Sequence, residues 1–237
     1  MPKPVSARRR KTQGGQEIIE FALVAIILIP LLIGSVVTGV NMIRSTQAQQ
    51  VCRDLDSIYI HGGDFSVYSM QQLAQRLARG LNLQIGASFT GNQATNTGNG
   101  GDGLVTVSQI TYVGPTTASI CTAVGAANCV NHDSFVYTQR IRFGNGALVG
   151  QSTAALGDPT TTSISASGLV LNPYTDSGAK VPGASQTQLQ NLWQVSGGGR
   201  TPLVDGQVMY IVEFYLQPPG ISIGSFSMGA IYTRYYF

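Results

Sequence analysis

From Gly15 to Ile43 the chain reads GQEIIEFALVAIILIPLLIGSVVTGVNMI, and the architecture turns on this stretch. Between Ile18 and Ile43 the only ionisable side chain is Glu20. A bilayer-spanning helix needs roughly 20 apolar residues, so the run is long enough to cross a membrane once. Upstream lie Lys3, Arg8, Arg9, Arg10 and Lys11, with no acidic residue before Glu17. Uncompensated cations on a short leader hold that end in the cytoplasm, which puts everything after about Arg44 on the far side. A cleaved secretory signal has the same order of regions, but its apolar core usually spans ~7–15 residues and ends at an A-x-A-like site. The longer run and the missing site favour an anchor that stays in the membrane.

Composition agrees with one anchor joined to one outer domain. The chain has 237 residues, of which only 11% are charged and 43% hydrophobic, with 29 glycines. Soluble domains average about 25% charged residues. The formal charge of +3 comes from the leader: without residues 1–15, nine basic residues would face eleven acidic ones. No basic face is left to hold phosphates, so nucleic acid is not an expected partner.

Glu20 makes the anchor specific. A carboxylate at the start of an apolar helix is costly in lipid and usually has a partner. The plainer reading is a side chain at headgroup depth, favoured by the helix N-terminal dipole. Gly15-Gln16-Glu17-Ile18-Ile19-Glu20-Phe21 resembles the type IV pilin processing signature: Gly, four residues, Glu, then an aromatic. The longer run RRRKTQGGQEIIEFALVAIILIPLLIG resembles the N-terminus of TadE-like proteins, minor pseudopilins of Flp/Tad pilus systems, including the proline that interrupts the apolar run, here Pro30. The resemblance covers about thirty residues of the chain. It implies a bacterial inner-membrane protein cut between Gly15 and Gln16 by a membrane prepilin peptidase. It also implies that Glu20, beside Phe21, pairs with the new N-terminal amine of a neighbouring subunit and sets the register. Gln16 departs from the small or apolar first residue common in such proteins, and Glu17 adds a second carboxylate. Pro30 removes one backbone hydrogen bond and is expected to kink the helix.

Beyond the membrane, Ala48, Val51, Leu55 and Ile58 recur at three or four residues, which predicts a helix running from about Gln16 to Tyr59, with Arg44, Arg53, Asp54 and Asp56 on its surface. His61-Gly62-Gly63 ends it. A second helix is expected over Met70–Leu81, with Leu73, Leu77 and Leu81 along one stripe. Residues 86–103 read as a polar, glycine-rich loop. Strand-like runs occupy Leu104–Val113, Phe135–Phe143, Gln207–Leu216 and Ser225–Phe237, the last two as a hairpin. Between Gly144 and Gly206 the pattern predicts an irregular excursion with a short helix near Gln186–Trp193. The expected fold class is therefore α+β: a basic leader (1–15), a transmembrane and stalk helix (16–61), and an extracytoplasmic domain (62–237) built on an antiparallel sheet with a short helix.

Cys121 and Cys129 bracket a loop, CTAVGAANC, of a size that a disulfide closes in an oxidising compartment. Two readings of Cys52 stand, a buried free thiol or an intersubunit bridge. No metal site is expected, because the cysteine spacing is not C-x-x-C and His132 alone cannot complete four ligands. Catalytic patterns fail on context. Gly98–Gly103 fits G-x-G-x-x-G without the following helix that a dinucleotide site needs. Gly220–Gly224 fits G-x-S-x-G, yet both histidines, His61 and His132, precede Ser222. Asp54 and Asp56, two apart on a helix, point away from each other. The expectation is a non-enzymatic assembly protein without cofactor or small-molecule substrate, with the membrane, other pilins or pseudopilins, the pilus assembly platform and prepilin peptidase as partners. The alternative is an uncleaved single-pass anchor whose outer domain binds a ligand through the 86–103 loop.

Overall fold

The computed structural model describes residues 14–152, 154–161, 163–192, 203–218 and 229–237. Residues 1–13 of the basic leader, Trp193 and the 220–224 pattern lie outside them.

Helix α1 (Gly14–Ile60) is one element of 47 residues that continues through Pro30. At 1.5 Å per residue it is about 70 Å long. Its two halves have different surroundings. From Ile18 to Ile43 large apolar side chains stand exposed, Ile26 and Phe21 among them. From Ala48 onward a stripe of Ala48, Val51, Cys52, Leu55 and Tyr59 is buried. The sequence places mostly aliphatic groups all round the first half, so no single face is distinguished; in the second half apolar residues keep to one side, and that side packs. The helix stops where the amides of Gly62 and Gly63 turn back to the carbonyls of Tyr59 and Ile58 at 3.0 and 2.9 Å, with Gly62 at φ +90°.

The outer domain is a five-stranded sheet in the order β1 (Thr95–Gly98), β3 (Ser134–Asn145), β2 (Gly103–Val113), β4 (Val208–Leu216), β5 (Ile231–Tyr236). The β3–β2–β4–β5 pairings are antiparallel, and β4 and β5 form the expected pair. The expected antiparallel sheet is present in these four strands, and β1 is added at its edge parallel to β3. β1 lies inside the stretch read as loop. It escapes the alternation rule because it is a four-residue edge strand whose one buried side chain, Asn96, is polar and donates to Gln71 Oε1 at 2.7 Å.

The sheet is covered on both faces. Val105, Val107, Ile141, Phe143, Val212, Phe214 and Leu216 meet the outer half of α1. Ile110, Phe135, Tyr137, Met209 and Ile211 meet Leu156, Val170, Val181 and Leu189 from the segment between β3 and β4. That segment carries helix α4 (Gly183–Leu192), close to the short helix expected there. Gln186 on α4 accepts from the Phe135 amide and donates to the Phe135 carbonyl, so a side chain completes the backbone bonding of β3. Pairing shifts between Gln109↔Gln139 and Ile110↔Tyr137, leaving Thr138 as an extra residue in β3. This bulge decides which face each neighbouring side chain takes. It leaves Gln139 facing α1, where it accepts from the Tyr59 hydroxyl at 2.6 Å, while Tyr137 and Arg140 both face the other way.

Two further expectations are corrected. Helix α2 spans Tyr68–Leu77 and tightens into a 3₁₀ turn at Arg79–Leu81. Its inward stripe is Gln71, Ala74, Ala78 and Leu81, whereas Leu73 and Leu77 are exposed. Small residues let α2 lie close to its neighbours, and Gln71 is held inward by donating to Phe65 O at 2.8 Å. Asp56, read as a surface residue of the stalk, is fully buried. The sheet is wide enough to cover more of α1 than its apolar stripe, so the flanking position is enclosed as well. A further short helix, α3 (Ser119–Val124), holds Cys121, which is bonded to Cys129 with Cα atoms 5.1 Å apart. Cys52 is a free thiol with no exposed surface, which favours the buried-thiol reading over an intersubunit bridge.

Candidate functional site

The residues singled out in the anchor lie within the first turns of α1. The backbone of Gly15 and Gln16 is helical, and the Gln16 side chain is outside the described set. One turn on, Glu20 is exposed, followed by Phe21 at 75% exposure. Pro30 lies ten residues beyond Glu20 along the same unbroken helix, also exposed. The helix from Ile18 is long and apolar enough to cross a membrane, and its apolar part is almost entirely uncovered by the rest of the chain. Nothing among the described residues of the outer domain covers these side chains, so the surface is available to lipid or to other helices.

The loop expected to contact a ligand is mostly exposed or half-buried and is pinned to its neighbours at a few points. Asn96 is buried, the Gln93 amide donates to Ser66 O at 2.7 Å, and the Arg142 amide donates to Ala94 O at 2.7 Å. Gly98 closes β1 and Gly103 opens β2, so no helix follows the glycine pattern.

A different site was not read from the sequence. On the face away from α1, four charged side chains converge. Arg140 Nη1 donates to Glu213 Oε2 at 3.0 Å and to Ser108 Oγ, while Arg140 Nε and Nη2 donate to Asp158 Oδ1 at 3.2 Å. Arg142 Nη2 also reaches Asp158 Oδ1. The Arg140 and Glu213 side chains are 7% and 4% exposed. Glu213 Oε1 accepts from the Leu156 amide at 2.9 Å and from the Tyr232 hydroxyl at 2.6 Å. Both oxygens of the buried carboxylate are thus satisfied, which is the condition for tolerating it inside. Burial works against the Arg140 charge, but the Tyr137, Glu213 and Asp158 oxygens outweigh it and hold its pKa above the ordinary value. Burial, reinforced by the Glu213 carboxylate, pushes the Tyr232 phenol up. At pH 7 the phenol therefore remains a donor.

Beside this cluster lies a cavity of about 240 Å³, with Leu104, Thr106, Arg142, Glu213, Tyr215 and Tyr232 on the sheet side and Leu148, Ser152, Ala155 and Asp158 above. The sequence did hold a signal: Glu213 is the lone charge in VMYIVEFYL, and Arg140 and Arg142 alternate in YTQRIRF. Opposite charges inside two core-like strands are rarely affordable unless they meet. No protein-family model, curated protein or solved structure matches the chain.

Proposed function

We propose that this protein is a minor pilin- or pseudopilin-like component of a Tad (Flp)-type pilus or secretion assembly, acting through packing rather than catalysis. In this reading residues 18–43 anchor it once in the bacterial inner membrane, residues 1–15 are cytoplasmic, and residues 62–237 lie on the periplasmic side. The observation that carries the reading is the division of α1: one uninterrupted helix, apolar and exposed in its first half, then seated on a sheet in its second. Such a helix fixes a rigid head to a membrane spike, and the spike offers its whole circumference to neighbouring helices. Glu20, the charge inside the apolar run at its cytoplasmic end, is the residue a neighbour would register against, because a carboxylate and an amine that are each costly in lipid are stabilised as a pair.

Intact mass spectrometry of the membrane-extracted protein from its native host, with and without prepilin peptidase, tests the assignment. A chain beginning at Gln16 only where the peptidase is present is the expected result. A full-length chain in both strains removes the processing step and leaves an uncleaved anchor.

A further inference from the structure

We propose that the cavity between strands β2–β5 and the segment carrying Leu148, Gly150, Ser152, Ala155, Gly157 and Asp158 binds a neutral, hydroxyl-rich small molecule about the size of one sugar ring. The volume of about 240 Å³ corresponds to roughly eight waters at ~30 Å³ each and falls below the ~300 Å³ floor of pockets for larger ligands. Its walls are already built. Glu213 accepts the Leu156 amide, and Arg140 and Arg142 hold Asp158, so the covering segment is tied to the sheet at two points and the space persists without a guest.

Charge decides the ligand class. Two guanidinium groups and two carboxylates line or border the space, so their formal charges cancel. An anion entering would face Glu213 and Asp158, and a cation would face Arg140 and Arg142; either would be desolvated without a free counter-charge. The open hydrogen-bonding capacity is mixed. Arg142 Nε is buried and has no acceptor among the described residues. Asp158 accepts from both arginines on Oδ1, which leaves Oδ2 as an acceptor, and the hydroxyls of Thr106 and Tyr215 make no bond among the described residues. Donors and an acceptor side by side suit hydroxyl groups, which do both. Leu104, Leu148 and the tyrosine rings supply apolar surface for the C–H faces of a ring. Binding here involves no reaction and is independent of how the anchor is processed.

The test is saturation-transfer NMR on the full chain in a detergent without a sugar headgroup. Glucose, N-acetylglucosamine and glycerol are the neutral probes; acetate and phosphate are the charged ones. Saturable signals from a neutral probe are expected. Ala155→Phe, which fills the cavity and alters no charge, should weaken binding at least tenfold. Arg142→Gln, which removes the orphan Nε donor, should do the same. Silence from all three neutral probes means a water-filled space and overturns the proposal. Binding that survives Ala155→Phe and Arg142→Gln places the ligand elsewhere, and signals from acetate or phosphate alone overturn the neutral class.

Discussion

Replacing Asp56 with Asn is expected to stabilise the protein at neutral pH, although it removes a native charge. Asp56 sits on α1 between Cys52 and Tyr59, against the sheet, with no exposed surface. Neither of its carboxylate oxygens has a hydrogen-bond partner among the described residues. Burial alone pushes its pKa from 3.8 to about 6. The same burial raises the thiol of Cys52 and the phenol of Tyr59, so these neighbours stay neutral and add no negative charge beside it. Because the folded pKa exceeds the unfolded one, the unfolded chain releases this proton more readily. The stability associated with Asp56 is therefore fully present below about pH 3.8 and is lost as pH rises through about 6. A shift of this size corresponds to as much as about 3 kcal/mol at 1.36 kcal/mol per unit. Asn has nearly the same shape and does not titrate, so the variant lacks this loss.

Urea denaturation of the full chain in micelles, followed by circular dichroism at a series of pH values from about 4 to about 8, measures the difference. Below about pH 4 the two proteins should be nearly equally stable. Above about pH 7 the Asn variant should be more stable by about 1–3 kcal/mol, with the gap opening between those limits. Parallel curves across the whole range would show that water or a cation reaches Asp56, and the account of an unpaired buried carboxyl would fail. Asp205 runs the other way and controls for the method. Desolvation is its largest single influence and raises its pKa, but bonds from the Gly114 and Ile120 amides and from Ser119 together lower it. Its stabilisation is present at neutral pH and lost in acid in both proteins alike.

Four other outcomes are expected. Glu20→Ala should leave membrane insertion intact and impair incorporation into a pilus assembly, scored by pilus biogenesis; unchanged biogenesis would count against the registry role. Glu213→Gln removes one of the two carboxylates that pair with the buried Arg140 and leaves it only Asp158; it should cost about 1.5–3 kcal/mol in the same denaturation, with the Tyr232 hydroxyl still bonded. Changing Cys121 and Cys129 together to Ser should lower stability by about 2–3 kcal/mol, as expected for closing a short loop, and reduced wild-type protein should match the variant. Iodoacetamide should leave Cys52 unmodified in the native chain and alkylate it once after unfolding, read by intact mass, because the thiol is enclosed and its pKa is raised.

The parts of the fold legible in the sequence are those where one periodicity reports one environment. The stalk stripe of Ala48, Val51 and Leu55 predicted a packed face and has one. The glycines at 62 and 63 marked the end of α1, and β2, β3 and β4 lie within one or two residues of their apolar runs. β1 was missed because TNTG carries no apolar signal: its place depends on hydrogen bonds to β3 and on Asn96 meeting Gln71, a residue on another element. The α2 stripe was misread because Leu73 and Leu77 satisfy helical spacing equally well on the outer face, and only the neighbouring elements choose between faces.

The charge cluster was illegible for a more general reason. Arg140 and Glu213 are 73 residues apart, and their meeting depends on the extra residue at Thr138, which reverses the facing of the strand between Tyr137 and Arg140. In an unbulged β3 the alternation that aims Tyr137 away from α1 would aim Arg140 towards it, into the apolar packing around Leu55 and Phe143. A side chain there would leave Glu213 without its cation on the opposite face. The bulge and the ion pair are therefore mutually dependent. One residue of register in β3 separates a satisfied buried pair from two orphaned charges, a larger penalty than any single packing contact in the sheet supplies.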